Sequence, residues 1–351
     1  LKTVSIIGNR PQLVKLIPEL GDVVLWTGQH YSDSLKGAYT KQLERCEEVL
    51  NLCETQIIAM RRKLKYEIER ANPDLVTIYG DTTSTLVGML SAKELALPII
   101  HIEAGYRCGN MLVPEEWHRV IIDAMCDYLF CPTQDAFKNA QDESGRSNTK
   151  QPHVILAGDI MQERLYDFWQ NEMGKQIPRA TNDKWICTIH RAENSDETTF
   201  KQLCKNIAIY VEQPRLYLHP KTEQFFRWSE QMRLSALNTA TSYHLIMKEL
   251  WNCAGVITDS GGLMREAAWL GKPCIVLRNE CEFPELVEQK RIKLVGRDEE
   301  LLRDALEAND WGNRVELENP HTTDKILNHL GIERRFYDTA ENELCHASVS
   351  V

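Results

Sequence analysis

The chain has 351 residues, of which 43% are hydrophobic and 26% charged, and a formal net charge of −10. That length suits two domains better than one, and the composition is that of an ordinary soluble globular protein. The acidic balance argues against a nucleic-acid backbone as partner, and no long apolar run suggests a membrane span or secretion.

Thr3 to Ile7 is an apolar strand, followed by Gly8-Asn9-Arg10-Pro11 and a helix carrying Leu13, Val14, Leu16 and Ile17. Pro11 fits a first helical turn. Arg10 and Lys15 put two cations beside a helix N-terminus at a strand's C-terminal end, the makings of an anion site. Asp22 to Trp26 is the next strand and ends in Thr27-Gly28-Gln29-His30-Tyr31. Tyr39 to about Ala71 reads as mainly helical and charged, with a break at Leu52 to Ile58.

Pro73 to Tyr79 is a strand ending in Gly80-Asp81-Thr82-Thr83-Ser84-Thr85, with a helix on to about Leu95. Leu97 to Ile102 is another, ending in Glu103-Ala104-Gly105. Strands alternating with helices predict a parallel sheet, and ligands bind at the carboxyl ends of its strands. Asp81 and Glu103 stand at two such ends, each either a helix N-cap or a group facing one crevice. Pro114-Glu115-Glu116-Trp117-His118-Arg119 opens a helix through Met125. Its acidic first turn either favours the helix dipole or supplies a catalytic carboxylate on a mobile loop. Tyr128 to Cys131 and Val154 to Leu156 are further strands, the second leading into Gly158-Asp159-Ile160-Met161.

Asp167 to Ala180 reads as the linker between domains. Lys184 to Ile189 restarts a sheet and ends in His190-Arg191-Ala192-Glu193-Asn194. A histidine at a strand end, titrating near neutrality, is an acid/base candidate. Arg215 to Leu218 ends in His219-Pro220, and a helix from Tyr243 to Trp251 leads into the strand Gly255-Val256-Ile257. Thr258-Asp259-Ser260-Gly261-Gly262 then turns into a helix from Leu263 to Leu270. Such a turn bares backbone N–H groups at the positive end of the helix dipole, and two glycines let a phosphate come close. Glu266, about one turn in, offers a carboxylate to a sugar's vicinal hydroxyls. The same stretch also reads as a plain strand–turn–helix corner.

Pro273 to Leu277 is a strand ending in Arg278 to Glu285. A short strand at Ile292 to Gly296 and helices at Glu299 to Ala308 and about Thr323 to Leu330 follow. The eleven cysteines form no C-x-x-C pair and are odd in number, which reads as reduced thiols in a cytosolic protein. The expected architecture is α/β: two doubly wound Rossmann-like domains with a cleft between them. The expected divisions are 1–166, 167–335 and a tail, 336–351.

The motifs are Gly-Asn-Arg-Pro (8–11) with Lys15, Gly-Gln-His (28–30) and Gly-Asp-Thr-Thr-Ser-Thr (80–85). Next come His-Ile-Glu-Ala-Gly (101–105), Pro-Glu-Glu (114–116) with Arg119, Gly-Asp-Ile-Met (158–161) and His-Arg-Ala-Glu-Asn from His190. His219-Pro220, Thr258 to Gly262 with Glu266, and Leu270-Gly271-Lys272-Pro273 complete them. In order and spacing, from residue 3 to about 330, the chain resembles the UDP-N-acetylglucosamine 2-epimerases, mainly the non-hydrolysing kind.

The resemblance implies a GT-B type fold and interconversion of UDP-GlcNAc and UDP-ManNAc. In that reaction the C2 proton is abstracted as UDP leaves C1, giving a 2-acetamidoglucal, and UDP adds back with the proton on the other face. Asp81, Glu103 and Glu115 resemble the family's carboxylates, in the first domain, and His190 joins them as catalytic. Arg10, Lys15, Arg119, His219, Ser260, Gly261, Gly262, Glu266 and Arg278 are implied to bind the UDP-sugar, with Glu266 on the ribose. A crevice crowded with acids is expected to raise at least one carboxyl pKa. The resemblance further implies no metal or nicotinamide, a cytoplasmic homodimer, and a C-terminal helix packed back on the first domain. The same cleft would serve a hydrolysing 2-epimerase or a GT-B glycosyltransferase.

Three departures stand out. Where the family pattern reads Thr-Glu-Arg-Pro-Glu, this chain has Cys281-Glu282-Phe283-Pro284-Glu285, so an arginine near the sugar-phosphate becomes Phe283. Relatives acting on UDP-2,3-diacetamido uronic acids also carry an aromatic near there, which keeps that substrate class open. His118 stands where the pattern has asparagine. The stretch after His30 lacks the Arg and Met of members regulated by a second UDP-GlcNAc, which puts an allosteric site in doubt.

Overall fold

The structure, a computed structural model, describes residues 1–28, 43, 46–145, 151–174, 183–212, 214–218, 222–225, 235–238, 243–312 and 317–334. The first lobe is built on strands β1 (Thr3–Ile7), β2 (Val23–Trp26), β3 (Glu48–Asn51), β4 (Leu75–Tyr79), β5 (Ile99–Ile102), β6 (Tyr128–Cys131) and β7 (His153–Leu156). The second is built on β8 (Trp185–Ile189), β9 (Arg215–Leu218), β10 (Ser235–Asn238), β11 (Gly255–Thr258), β12 (Cys274–Val276) and β13 (Ile292–Leu294). The sheets run β3-β2-β1-β4-β5-β6-β7 and β10-β9-β8-β11-β12-β13, and every recorded pairing is parallel. Strand order reverses at β1/β4 and at β8/β11, and a doubly wound sheet opens its binding crevice at such a point.

Three of the four strands at the reversal points, β1, β4 and β11, are buried at every residue and read as near-continuous apolar runs, while β8 leaves Trp185 and Thr188 partly exposed. The edge strand β3 is only partly buried and mixes Glu48 and Asn51 with Val49 and Leu50. The reading of Tyr39 to Ala71 as mainly helical is therefore corrected at residues 48–51, where β3 pairs with β2; the expected break at Leu52 to Ile58 is followed by helix α2 (Ile57–Ala71), and residues 39–42, 44 and 45 lie outside the described residues. The strand β10, at one edge of the second sheet, is not among the expected strands.

Helices start where polar side chains cap them. Asn9 accepts from Gln12 N at the start of α1 (Arg10–Lys15), and Thr82 accepts from Thr85 N at the start of α3 (Thr83–Glu94). Helix α4 (Pro114–Met125) and α5 (Gln134–Ser144) complete the cover near the site. Helix α6 (Ile160–Asn171) takes in the first residues of the stretch read as a linker. A single cluster of buried side chains runs from Ile78 and Leu129 through Leu165 and Phe168 of α6 to Met247, Trp251 and Met264 in the second lobe.

In the second lobe α7 (Glu197–Tyr210), α8 (Tyr243–Asn252), α9 (Gly261–Trp269), α10 (Pro284–Glu288) and α11 (Glu299–Glu307) flank the sheet. The last described helix, α12 (Thr322–Leu330), returns to the first lobe. Its Ile326 and Leu327 pack with Phe130, Ile160 and Met161, and Thr323 donates to Glu163 from its N–H (2.8 Å) and its hydroxyl (2.5 Å). Among the described residues no helix is long and apolar enough to cross a membrane.

Candidate active site

The first lobe brings its acids to the carboxyl ends of β4 and β5 and the start of α4. Glu103 follows β5 with φ at 72°, a left-handed conformation unusual for a residue with a Cβ. Gly105, two residues on, has φ at 84°, and a Cβ there would lie 2.0 Å from the carbonyl of Ala136, so only glycine fits. The turn buries the Glu103 carboxylate between two cations: Lys15 Nζ bonds Oε2, and Arg265 Nη2 donates to Oε1 at 3.0 Å. Burial alone would raise its pKa, but the charges of Lys15 and Arg265 outweigh that and hold it down at about 2. Glu103 is therefore not the carboxyl that crowding was expected to raise, because cations crowd in with the acids.

Asp81 does not cap α3; Thr82 does. Its Oδ2 instead accepts a fork from Arg119, Nε at 2.8 Å and Nη2 at 2.5 Å. The backbone around it is held as well: His118 Nδ1 donates to the Asp81 carbonyl at 2.8 Å, and His101 Nε2 lies 2.8 Å from the Gly80 carbonyl. A histidine at 118 thus supplies an N–H donor where the family pattern has an amide. The consecutive glutamates of α4 divide their roles. Glu116 is buried and accepts from Cys108 N, Gly109 N and Arg119 Nη1, so it anchors the preceding loop. Glu115 is about a third exposed and lies 3.5 Å from Arg191 of the second lobe.

Across the cleft, β8 ends in His190 and β11 in Asp259. Asp259 is fully buried and accepts the N–H of His190 (3.0 Å), the N–H of Arg191 (3.0 Å) and Asn194 Nδ2 (3.2 Å). Its Oδ1 also meets His190 Nδ1 at 2.8 Å, which fixes the tautomer and ring orientation, while the ring stays about a third exposed. Burial would raise the pKa of Asp259, but its bond to His190, the histidine's charge and the N–H donors hold it below the usual range.

Ser260 caps α9, its hydroxyl accepting from Leu263 N at 3.4 Å. A Cβ on Gly261 or Gly262 would meet nothing nearer than 3.9 Å, so the space before these N–H groups is open to a ligand. Glu266 is buried in the same helix. Arg278 is buried and forms two 3.0 Å bonds with Glu282. His219 and the side chain of Arg10 lie outside the described residues, as does the stretch from 29 to 42.

Sequence reasoning missed Arg191 and Arg265, and the cross-lobe partner of Arg119. Arg119 Nη2 reaches Glu282 at 2.9 Å, Arg191 lies 3.5 Å from Glu115, and Arg265 Nη1 reaches Asp159 at 2.5 Å. The available signal was a charge in an apolar helix, Leu263-Met264-Arg265-Glu266-Ala267-Ala268, which must find an opposite charge when buried. Phe283 is buried, packs edge-on against Tyr106 at 5.0 Å and lies under the Arg265 guanidinium at 4.9 Å. A guanidinium is therefore present in space beside the position that lacks one in sequence. Among the described residues no set of three His, Cys, Asp or Glu could hold a metal ion.

Two doubly wound sheets, acids at the strand ends of one and an open helix N-terminus beside an oriented histidine in the other, define an α/β fold of the GT-B type with a cleft between its lobes. The chain belongs to the UDP-N-acetylglucosamine 2-epimerase family, whose profile matches residues 15–327, and so to the isomerases. It is 33% identical over 323 residues to the UDP-2,3-diacetamido-2,3-dideoxy-D-glucuronate 2-epimerase of Pseudomonas aeruginosa, covering 86% of this chain and 90% of that one. It is 30% identical over 342 residues to the UDP-N-acetylglucosamine 2-epimerase of Methanocaldococcus jannaschii, covering 88% and 92%. A crystal structure of the M. jannaschii UDP-GlcNAc 2-epimerase in complex with UDP-GlcNAc and UDP is similar at a TM-score of 0.78 and 27% identity, over 94% of this chain and 99% of that one.

Proposed function

We propose that this protein is a non-hydrolysing 2-epimerase of UDP-activated 2-acetamido sugars, interconverting UDP-GlcNAc and UDP-ManNAc. One observation carries the reading. Each of the three carboxylates is tied to the lobe that holds the helix N-terminus: Glu103 through Arg265, Glu115 through Arg191 and Asp81 through Arg119 with Glu282. Proton carriers and donors for a departing diphosphate thus share one cleft.

The mechanism follows from that division. A carboxylate takes the C2 proton as the C1–O bond breaks and UDP departs with the bonding pair, leaving a 2-acetamidoglucal. UDP oxygen then re-forms the bond to C1 while a proton reaches C2 from the other face, which needs a second acid/base group. The developing diphosphate charge falls to the N–H groups of Gly261 and Gly262, to His190 and to Arg10. Asp259 keeps the His190 ring aimed. Glu103, pinned by two cations, is suited to remain ionised throughout, and Glu115, with a single 3.5 Å ion pair, is the better placed to exchange a proton. Glu266 is assigned to the ribose.

A related substrate, a UDP-2,3-diacetamido uronic acid, is favoured by the P. aeruginosa relative and by the aromatic at Phe283. Supplying each UDP-sugar separately and resolving products by chromatography decides between them. A 2-epimer carrying UDP supports the proposal; stoichiometric free UDP points to hydrolysis, and no change without an added acceptor points to a glycosyltransferase. We also propose a cytoplasmic homodimer. The α4 residues Trp117, Ile121 and Met125, spaced by four and each more than a third exposed, support a self-association face that sedimentation can test.

A further inference from the structure

We propose that Arg265 is the positioning residue that couples lobe closure to the Glu103 carboxylate, reaching from the diphosphate-binding helix into the opposite lobe. The proposal rests on the epimerase reading above. Arg265 stands four residues after Gly261 on α9, so it moves with the N-terminus that faces the diphosphate. All its recorded hydrogen bonds go to the first lobe: Glu103 Oε1 at 3.0 Å, Asp159 Oδ2 at 2.5 Å and Tyr106 Oη at 3.3 Å. Its flat faces meet rings from both lobes, Phe283 at 4.9 Å, Tyr106 at 5.5 Å and Trp269 at 5.8 Å.

The consequence concerns Glu103. Its Oε2 is held by Lys15 from its own lobe and its Oε1 by Arg265 from the other. With the lobes apart the carboxylate keeps one cation, and with the lobes together it has two and a fixed plane. Opening also parts Asp159 from the guanidinium and returns both to solvent, so these buried pairs fix the geometry of the closed state more than its stability. A nucleotide seated at residues 260–262 draws α9 and Arg265 with it. The catalytic cluster is thereby completed only when the diphosphate is in place. Lys15, Arg265, Asp159 and Tyr106 are the charged and titratable groups around this carboxylate.

The test uses the full chain with Arg265→Gln, Arg265→Lys and Asp159→Asn. Steady-state rates are taken with the UDP-sugar that turns over, and small-angle scattering is recorded with UDP bound. Arg265→Gln should lower kcat by about 100-fold and shift KM by less than about threefold, because the carboxylate loses its placement and not the nucleotide its site. Arg265→Lys should recover about tenfold of the loss. The UDP-bound particle should be larger in Arg265→Gln than in wild type. A kcat within about threefold of wild type overturns the proposal, and so does a loss carried by KM as much as by kcat or one that Arg265→Lys does not partly restore, which marks a merely structural role. If wild type turns over no UDP-sugar, the epimerase reading fails; scattering still decides the latch, and equal UDP-bound sizes overturn it. Should the Arg265 variants not fold, Asp159→Asn must enlarge the UDP-bound particle, and an unchanged size there overturns the proposal.

Discussion

Arg119 of the first lobe and Glu282 of the second meet at 2.9 Å, through the same nitrogen that holds Asp81 at 2.5 Å. Glu282 also takes both terminal nitrogens of Arg278. Burial raises its pKa, but Arg119 and Arg278 outweigh that and hold it far below the usual carboxylate range. Replacing it by alanine leaves two buried guanidinium groups short of a counter-charge. Glu282→Ala should therefore lose about 3–5 kcal/mol of unfolding free energy in urea, the cost of breaking a buried pair from one side.

The depressed carboxyls set the acid limit of stability. Glu103 and Glu282 start from an ordinary value of 4.5 and sit lower in the folded chain, Glu103 at about 2. A lowered folded value means stability that is present above the unfolded pKa and drains away as pH falls through the folded one. Thermal unfolding from pH 7 downward should show a flat melting temperature that begins to drop near the ordinary value of 4.5. Glu282→Gln should flatten part of that slope.

Asp259 orients His190 and is itself out of contact with solvent. Asp259→Asn keeps the shape but replaces the carboxylate acceptor that fixes the ring's tautomer and orientation. A kcat loss on the order of 10³-fold with KM nearly unchanged is expected, by analogy with buried carboxylates behind other catalytic histidines. Steady-state kinetics with circular dichroism as a folding control checks it.

Gly261 separates the fold's needs from the ligand's. An added Cβ meets no protein atom nearer than 3.9 Å, and alanine is the better helix former by roughly 1 kcal/mol. Gly261→Ala should melt no lower than the parent while its calorimetric affinity for UDP falls at least about tenfold, because the methyl occupies the diphosphate's approach.

The parts of this site legible in sequence are those that one strand and its following turn decide. Asp81, Glu103, His190 and Ser260 stand at the ends of buried, apolar strands next to the order reversals of their sheets. Their position follows from alternation of strand and helix alone. The edge strands β3 and β10 were missed because four residues carry too short a pattern to outweigh neighbouring helical propensity. The partners of those site residues were missed for a different reason. Arg265 meets Glu103 across 162 positions of sequence and Glu282 meets Arg119 across 163, so nothing local pairs them. The crowd of acids suggested at least one raised pKa; at Glu103 and Glu282 the matching cations, visible only in three dimensions, set the direction downward.

The most direct measurement is proton NMR of UDP-GlcNAc incubated with the enzyme in heavy water. The account predicts that the C2 proton signal fades as deuterium enters, that UDP-ManNAc bearing deuterium at C2 accumulates, and that Glu115→Gln suppresses both together. UDP-ManNAc that keeps its original C2 hydrogen would contradict it.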